Sequence, residues 1–261
     1  MSDRLIDELL DLSHALGDPA RDMAILGEGN TSAKVDDSGG DESFWVKASG
    51  SELRTLRAEQ VVRVSFAACA QMLEAAAGGK AFADDDVKDA LLAAVVEGGD
   101  GVRPSVETVL HAALLQQPGV SFVGHTHPTA INALTCSDRF GEALTRRLFP
   151  DQVVVCGESA VLVPYVDPGL PLALEVLSRC VAYRKRYGES PRTVFMQNHG
   201  FIALGSSAKQ VLQISQMAVK SAEVLNGAFA NGEPTFMTDA QVARIAGRDD
   251  EHYRQKVLAG G

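Results

Sequence analysis

Little in this sequence would tie it to an oxidising compartment, a membrane or a nucleic acid. Cysteine is scarce: four in 261 residues, at positions 69, 136, 156 and 180. They form no CxxC pair, and a chain this long fills a core without disulfide staples, so a reducing cytoplasm is the expected setting. No run approaches the roughly 20 apolar residues that span a bilayer, and no membrane partner is expected. The segment MSDRLIDELLDLSHALG lacks the basic start, apolar centre and small-residue cleavage site of an export signal. Basic residues are in the minority, 24 Lys and Arg against 34 Asp and Glu, for a net charge of −10. No broad positive field exists to attract phosphate backbones, which argues against nucleic acid as a partner. A small anion stays possible, because backbone N–H groups gathered at a turn or a helix start do not enter the net charge. Internal repeats, low-complexity linkers and the nucleotide-binding strings GxxxxGKS/T and GxGxxG are also missing.

What remains is ordinary globular material, 46% hydrophobic and 22% charged, which suits one large α/β domain over residues 1–261 with 231–261 as a polar tail. Apolar spacing predicts an amphipathic helix over 2–16, a strand at 61–65 and a helix over 66–77 that stops at Gly78-Gly79. DDSGGDE, at 36–42, reads as a hairpin tip, and 81–104 as a charged segment holding a further short helix. Ser105 is placed as the N-cap of a helix running to Gln117, before Pro118. A strand at 120–128 follows, then helical pieces at 129–135 and 138–148. VVVC (153–156) and VLVPY (161–165) read as strands, 168–187 as a helix, 193–205 as two strands joined by Asn198-His199-Gly200, and 206–228 as a long amphipathic helix. The tail beyond it reads as a short terminal helix or a partly mobile segment. Strand-turn-strand units mixed with helical crossovers imply a layered α/β fold whose sheet is not purely parallel.

Chemistry concentrates at three of the six histidines. His125 and His127 are two apart on the predicted strand, so their side chains share a face and can grip one ion. His199 lies in a tight turn between strands, where a polar side chain projects into a cleft. Three neutral imidazoles would leave a zinc-type ion one open coordination position, as a catalytic site needs. Glu107 starts the helix that precedes the histidine strand, and a short return brings its carboxylate beside the ion, to ligate or to act as acid/base. His111 shares its helical face and reads as packing or support; His14 and His252 read as surface residues. The turns Gly29-Asn30-Thr31-Ser32 and Lys47-Ala48-Ser49-Gly50, with Ser105, offer N–H groups and hydroxyls for a phosphate, although each string alone also suits a plain turn.

The ordered set GEGNTS, KASG, PSVETVLHAAL, GHTHP and QNHG resembles the class II aldolase and adducin family over residues 5–229, with wording close to the aldolase portion of fused rhamnulose-phosphate aldolase/alcohol dehydrogenases. The resemblance implies a mixed, mainly antiparallel sheet between helical layers and a homotetramer with its site at a subunit boundary. It implies a divalent metal, zinc before manganese or cobalt, on His125, His127 and His199, with Glu107 as acid/base. It also implies a substrate phosphate on Gly29, Asn30, Ser49, Gly50 and Ser105. Val106 stands where fuculose-phosphate aldolases carry a second serine, which removes one phosphate hydroxyl. The family's catalytic tyrosine has no evident counterpart among Tyr165, Tyr183, Tyr187 and Tyr253. The implied activity is reversible cleavage of a ketose 1-phosphate, L-rhamnulose 1-phosphate or a related deoxyketose phosphate, to dihydroxyacetone phosphate and an aldehyde. Relatives that decarboxylate sugar-acid phosphates, epimerise pentulose phosphates or dehydrate are the alternatives, and a non-catalytic scaffold would have lost the histidines that this chain keeps.

Overall fold

Alternation of apolar residues along short strands builds a sheet that is buried on both faces. The computed structural model describes residues 2–35, 42–98 and 101–248. In chain order the elements are α1 (Ser2–Leu16), β1 (Asn30–Lys34), β2 (Ser43–Lys47), β3 (Val61–Ser65), α2 (Phe66–Ala77), α3 (Asp84–Ala93), β4 (Val95–Gly98), α4 (Thr108–Leu115) and β5 (Phe122–Thr126). They continue with α5 (Thr129–Thr135), α6 (Glu142–Thr145), α7 (Pro150–Cys156), β6 (Val161–Val163), α8 (Leu170–Tyr187), β7 (Thr193–Met196), β8 (Gly200–Gly205), α9 (Ala208–Asn231) and α10 (Asp239–Ala246). The eight strands form one sheet in the order β4-β3-β2-β1-β5-β8-β7-β6. Every neighbouring pair is antiparallel except β6 with β7. This is the mixed, mainly antiparallel α/β architecture expected.

The two faces carry different helices. Phe44, Val46, Val62, Val64, Val123 and Ile202 pack with α2, α4 and α8 in one core, while Ala33, Trp45, Phe122, Phe201 and Ala203 pack with α1, α5 and α9 in the other. Period-2 alternation along each strand produces this split. Gly124 lets β5 approach α1 and α9 closely: a Cβ there would lie 2.7 Å from Val211 Cγ1 and 2.9 Å from Leu16 Cδ1.

Several elements depart from expectation. VVVC is the end of helix α7, not a strand; Pro150 opens the helix, Asp151 occupies its first turn, and Gly157, at φ 81°, ends it. A four-residue apolar run has no period of its own, so flanking Pro and Gly decide its state. Ser105 does not cap α4. The residue at the N-cap is Glu107, and Thr108 N–H reaches the Ser105 carbonyl at 3.0 Å. The Ser105 hydroxyl instead accepts a hydrogen bond from Asn30 Nδ2 at 3.2 Å. Helix 138–148 contracts to α6, and the 81–104 segment holds a strand, β4, as well as a helix. Part of the tail is helical, as α10. The proposed 36–42 tip lies outside the described residues apart from Glu42, as do His252 and Tyr253.

Candidate active site

The strand directions place the chemistry-bearing residues at one end of the sheet. β1 begins with Asn30 there, β2 ends with Lys47, β5 ends beside His125, and β8 begins with Gly200. Antiparallel pairing sets Asn30 opposite His125 on β1 and β5. His127 lies one residue past β5, and its ring still converges with that of His125, centroids 4.8 Å apart. His199 completes the group from the turn between β7 and β8, with centroids 5.0 Å from His125 and 5.3 Å from His127. Asn198 holds this turn at φ 53°, a left-handed conformation that asparagine tolerates. Gly200 is required by space: a Cβ would sit 2.6 Å from His127 Cδ2 and 2.7 Å from the Thr126 carbonyl.

One potential ligand atom from each of His125, His127 and His199 falls within 4.8 Å of the others. The hydrogen bonds aim two of them. His125 Nδ1 is 3.1 Å from the Phe201 carbonyl, which can only accept, so Nδ1 carries the hydrogen and Nε2 the lone pair. That Nε2 faces Nε2 of His127 at 3.0 Å. His199 Nδ1 is buried without a hydrogen-bond partner, and Nε2 lies 3.3 Å from Glu107 Oε1. Two nitrogen atoms facing each other at contact distance, and a buried orphan beside them, suit a divalent cation with nitrogen ligands.

Burial works against protonation of two of the three rings. It lowers the His125 imidazole to about 3 despite the nearby Glu107 carboxylate, and lowers His127 as well. Glu107 is held in the opposite balance. Burial pushes its carboxyl up, but His125, His199 and His111 together outweigh that and hold it well below the usual carboxylate range. Glu107 Oε1 lies 3.7 Å from His125 Nε2, and Oε2 accepts a hydrogen bond from Asn30 Nδ2 at 3.0 Å. An anionic, oriented carboxylate therefore stands against the histidine rings.

The expected residues are not all brought together to the same degree. Asn30, Ser105 and Glu107 form one hydrogen-bonded group. Gly29, at φ 72°, brings that group against β5, where a Cβ would meet the His125 carbonyl at 2.5 Å. Ser49 and Gly50 lie in the turn after β2. Ala48 bridges to Pro104, and Ser49 N–H is already spent on the Arg103 carbonyl at 2.8 Å. The turn thus abuts the segment carrying Ser105 and Glu107, with one expected N–H donor occupied.

The buried charge of Lys47, expected only as part of a turn, and the carboxylate of Glu28 are not evident from the sequence. Lys47 is 2% exposed, its ammonium donating to the Ser51 carbonyl at 2.6 Å. Burial lowers it to about 8, against the pull of Glu107. Lysine ending an otherwise apolar strand, SFWVK, was the available signal. Glu28 places Oε1 3.6 Å from His127 Nδ1. His111, expected to pack or to support the site, is fully buried, with Nδ1 2.7 Å from the Ser32 hydroxyl and Nε2 unpartnered. Of the tyrosines, Tyr165 is exposed and bonded to Asp167, whereas Tyr183 is buried against the Ser159 carbonyl.

The family model described as the class II aldolase and adducin N-terminal domain matches residues 7–225. The uncharacterized oxidoreductase YuxG of Bacillus subtilis is 29% identical over 222 residues, 84% of this chain but only 29% of that protein. The chain thus spans under a third of that relative. The 3-oxo-tetronate 4-phosphate decarboxylase of Haemophilus influenzae is 25% identical over 152 residues, 58% of this chain and 68% of that one. Among solved structures, an L-fuculose 1-phosphate aldolase superposes with a TM-score of 0.70 at 17% identity, covering 97% of this chain and 98% of that one, a likeness of fold.

Proposed function

The chain belongs to the class II aldolase and adducin family, and from that premise we propose that it is a metal-dependent lyase cleaving a ketose 1-phosphate to dihydroxyacetone phosphate and an aldehyde. The substrate in this reading is L-rhamnulose 1-phosphate or a related deoxyketose phosphate. The observation that carries it is the convergence of three imidazoles, two of them nitrogen to nitrogen at 3.0 Å, with the carboxylate of Glu107 against them. A non-catalytic scaffold has no need for such a group.

His125, His127 and His199 would hold the ion, zinc in preference to manganese or cobalt. When bound, it supplies electrophilic stabilisation of the negative charge that develops as the C3–C4 bond breaks. Glu107 handles the proton. Its resting form is the anion, so in the synthetic direction it takes the proton from the carbon that becomes C3; in cleavage the proton given up by the C4 hydroxyl, as it becomes the aldehyde carbonyl, balances the one that C3 gains through Glu107. Asn30, donating to Oε2, keeps the carboxylate turned toward the histidines. Gly29, Asn30, Ser49, Gly50 and Ser105 would receive the phosphate. Lys47 lies buried next to the Ala48–Gly50 turn and within electrostatic reach of Glu107. A single domain over 1–261, a homotetramer and a cytoplasmic setting complete the reading; sedimentation of the purified protein tests the tetramer.

The experiment is metal analysis of the purified protein followed by a coupled assay for dihydroxyacetone phosphate over a panel of ketose 1-phosphates. About one divalent ion per chain, with release from one sugar, supports the aldolase. The identity shared with a 3-oxo-tetronate 4-phosphate decarboxylase favours one second reading, decarboxylation of a sugar-acid phosphate. Carbon dioxide release from such a substrate, without dihydroxyacetone phosphate from any ketose, would select it. Epimerase and dehydratase activities need the same metal and base, and are read from product analysis on the same panel. Absence of metal after reconstitution would overturn all of these.

A further inference from the structure

The turn between residues 22 and 29 is tied to one histidine at two points. The His127 N–H donates to the Met23 carbonyl at 2.8 Å, and its ring Nδ1 faces Glu28 Oε1 at 3.6 Å. The other carboxylate oxygen, Oε2, accepts the Ile25 N–H at 3.0 Å, and Glu28 N–H returns to the Ile25 carbonyl at 3.1 Å. The carboxylate is therefore fixed by its own turn and not merely swept past the ring. The turn uses left-handed conformations at Asp22, Leu26 and Gly29, with φ values of 51°, 52° and 72°. A leucine in that region is uncommon and holds only where the surroundings determine it. The opposite ring nitrogen of His127, Nε2, is the one that faces His125.

We propose that Glu28 is a positioning residue for the metal site: its carboxylate accepts the Nδ1 hydrogen of His127 and so fixes the tautomer that turns the Nε2 lone pair toward the ion. The inference rests on the reading of His125, His127 and His199 as metal ligands. His125 is set in the same sense by a backbone carbonyl on its Nδ1. The two rings thus receive their orientation from different sources, one from the sheet and one from the turn. A carboxylate partner also raises the basicity of the ligating nitrogen, and loss of such a partner typically costs about 10–100-fold in metal affinity.

The test uses cobalt(II) alone as probe on the metal-stripped full chain, read by its visible absorption, with zinc competition giving the affinity. Glu28→Ala is expected to weaken binding about 10–100-fold and to shift the cobalt bands. Glu28→Gln, whose amide oxygen can accept the Nδ1 hydrogen while its NH2 leaves the Ile25 N–H unpaired, should restore part of the affinity and so bind more tightly than Glu28→Ala. In the zinc-loaded protein, the slowly exchanging Nδ1–H of His127, seen by NMR, should persist in Glu28→Gln and be lost in Glu28→Ala. Unchanged affinity and spectrum in Glu28→Ala would overturn the proposal, as would equal losses in both variants, which would mean that the turn itself had collapsed. His127→Ala separates the two levels. If it binds cobalt as tightly as the unaltered chain, the three-histidine reading fails, independently of Glu28.

Discussion

Glu107 and His111 sit four residues apart on the same side of α4, and burial treats them in opposite ways. The carboxylate is kept anionic by the imidazoles around it, so replacing it with an amide removes the base and leaves the ligand nitrogens in place. Glu107→Gln should lower turnover about 10²–10⁴-fold while metal content, measured by elemental analysis, stays near that of the unaltered chain. Burial lowers the His111 ring to about 4, outweighing the upward pull of the Glu107 carboxylate. Its folded value thus lies below the unfolded 6.5. The stability tied to the neutral ring is complete above pH 6.5 and is lost as pH falls toward 4, because the unfolded chain takes up the proton first. The loss reaches about 3 kcal/mol across that window. Urea unfolding of the metal-free protein at several pH values should show this slope, and His111→Gln should flatten it. An equal slope in both proteins would assign the acid sensitivity to other groups.

The elements position the site by close approach more than by hydrogen bonding. β5 carries His125 between β1 and β8, and Gly124 lets it lie directly on α1 and α9. Gly124→Ala would force Val211 and Leu16 aside, an overpacking that costs about 1–3 kcal/mol. The midpoint of thermal unfolding should fall, and cobalt affinity should fall with it, since the strand that is displaced bears the ligand. A thermal midpoint within error of the unaltered chain would show that α9 can yield at no cost. At the start of β1, Gly29→Ala meets two obstacles, a left-handed φ and the His125 carbonyl 2.5 Å away. Its expected effect is loss of metal binding alongside reduced stability, read in the same titration.

As a whole, the molecule closes its functional end from distant parts of the chain, since Glu28, Glu107, His127 and His199 reach it from four separate segments. A ligand that binds only this assembled arrangement stabilises the fold by mass action, about 2.7 kcal/mol at a free concentration one hundred times its dissociation constant. Zinc added to the stripped protein should therefore raise the thermal midpoint by roughly 5–10 °C, and a chelator should reverse it. His199→Ala should lose the shift. No helix among the described residues is long and apolar enough to cross a membrane.

Much was legible in the amino-acid order because local chemistry decided it. The helices α1 and α2 follow from apolar spacing and the Gly78-Gly79 stop, the β7–β8 turn from Asn198 and Gly200, and the histidine pair from a two-residue period. The motif strings also carried the family and its sheet architecture. What the sequence left open was wherever a short segment has no period or a side chain has two possible partners. VVVC became helix through Pro150 and Gly157, and the exposed edge strand β4 had too little apolar alternation to be seen. Ser105 turned from capping its own helix to receiving Asn30, and Lys47 and Glu28 acquired their importance from neighbours brought in by strand pairing and by a left-handed turn. Period and capping act within a few residues and can be read in order along the chain. Burial, orientation of an imidazole and the charge beside a carboxylate are set by groups tens of residues away, so only the assembled sheet end could decide them.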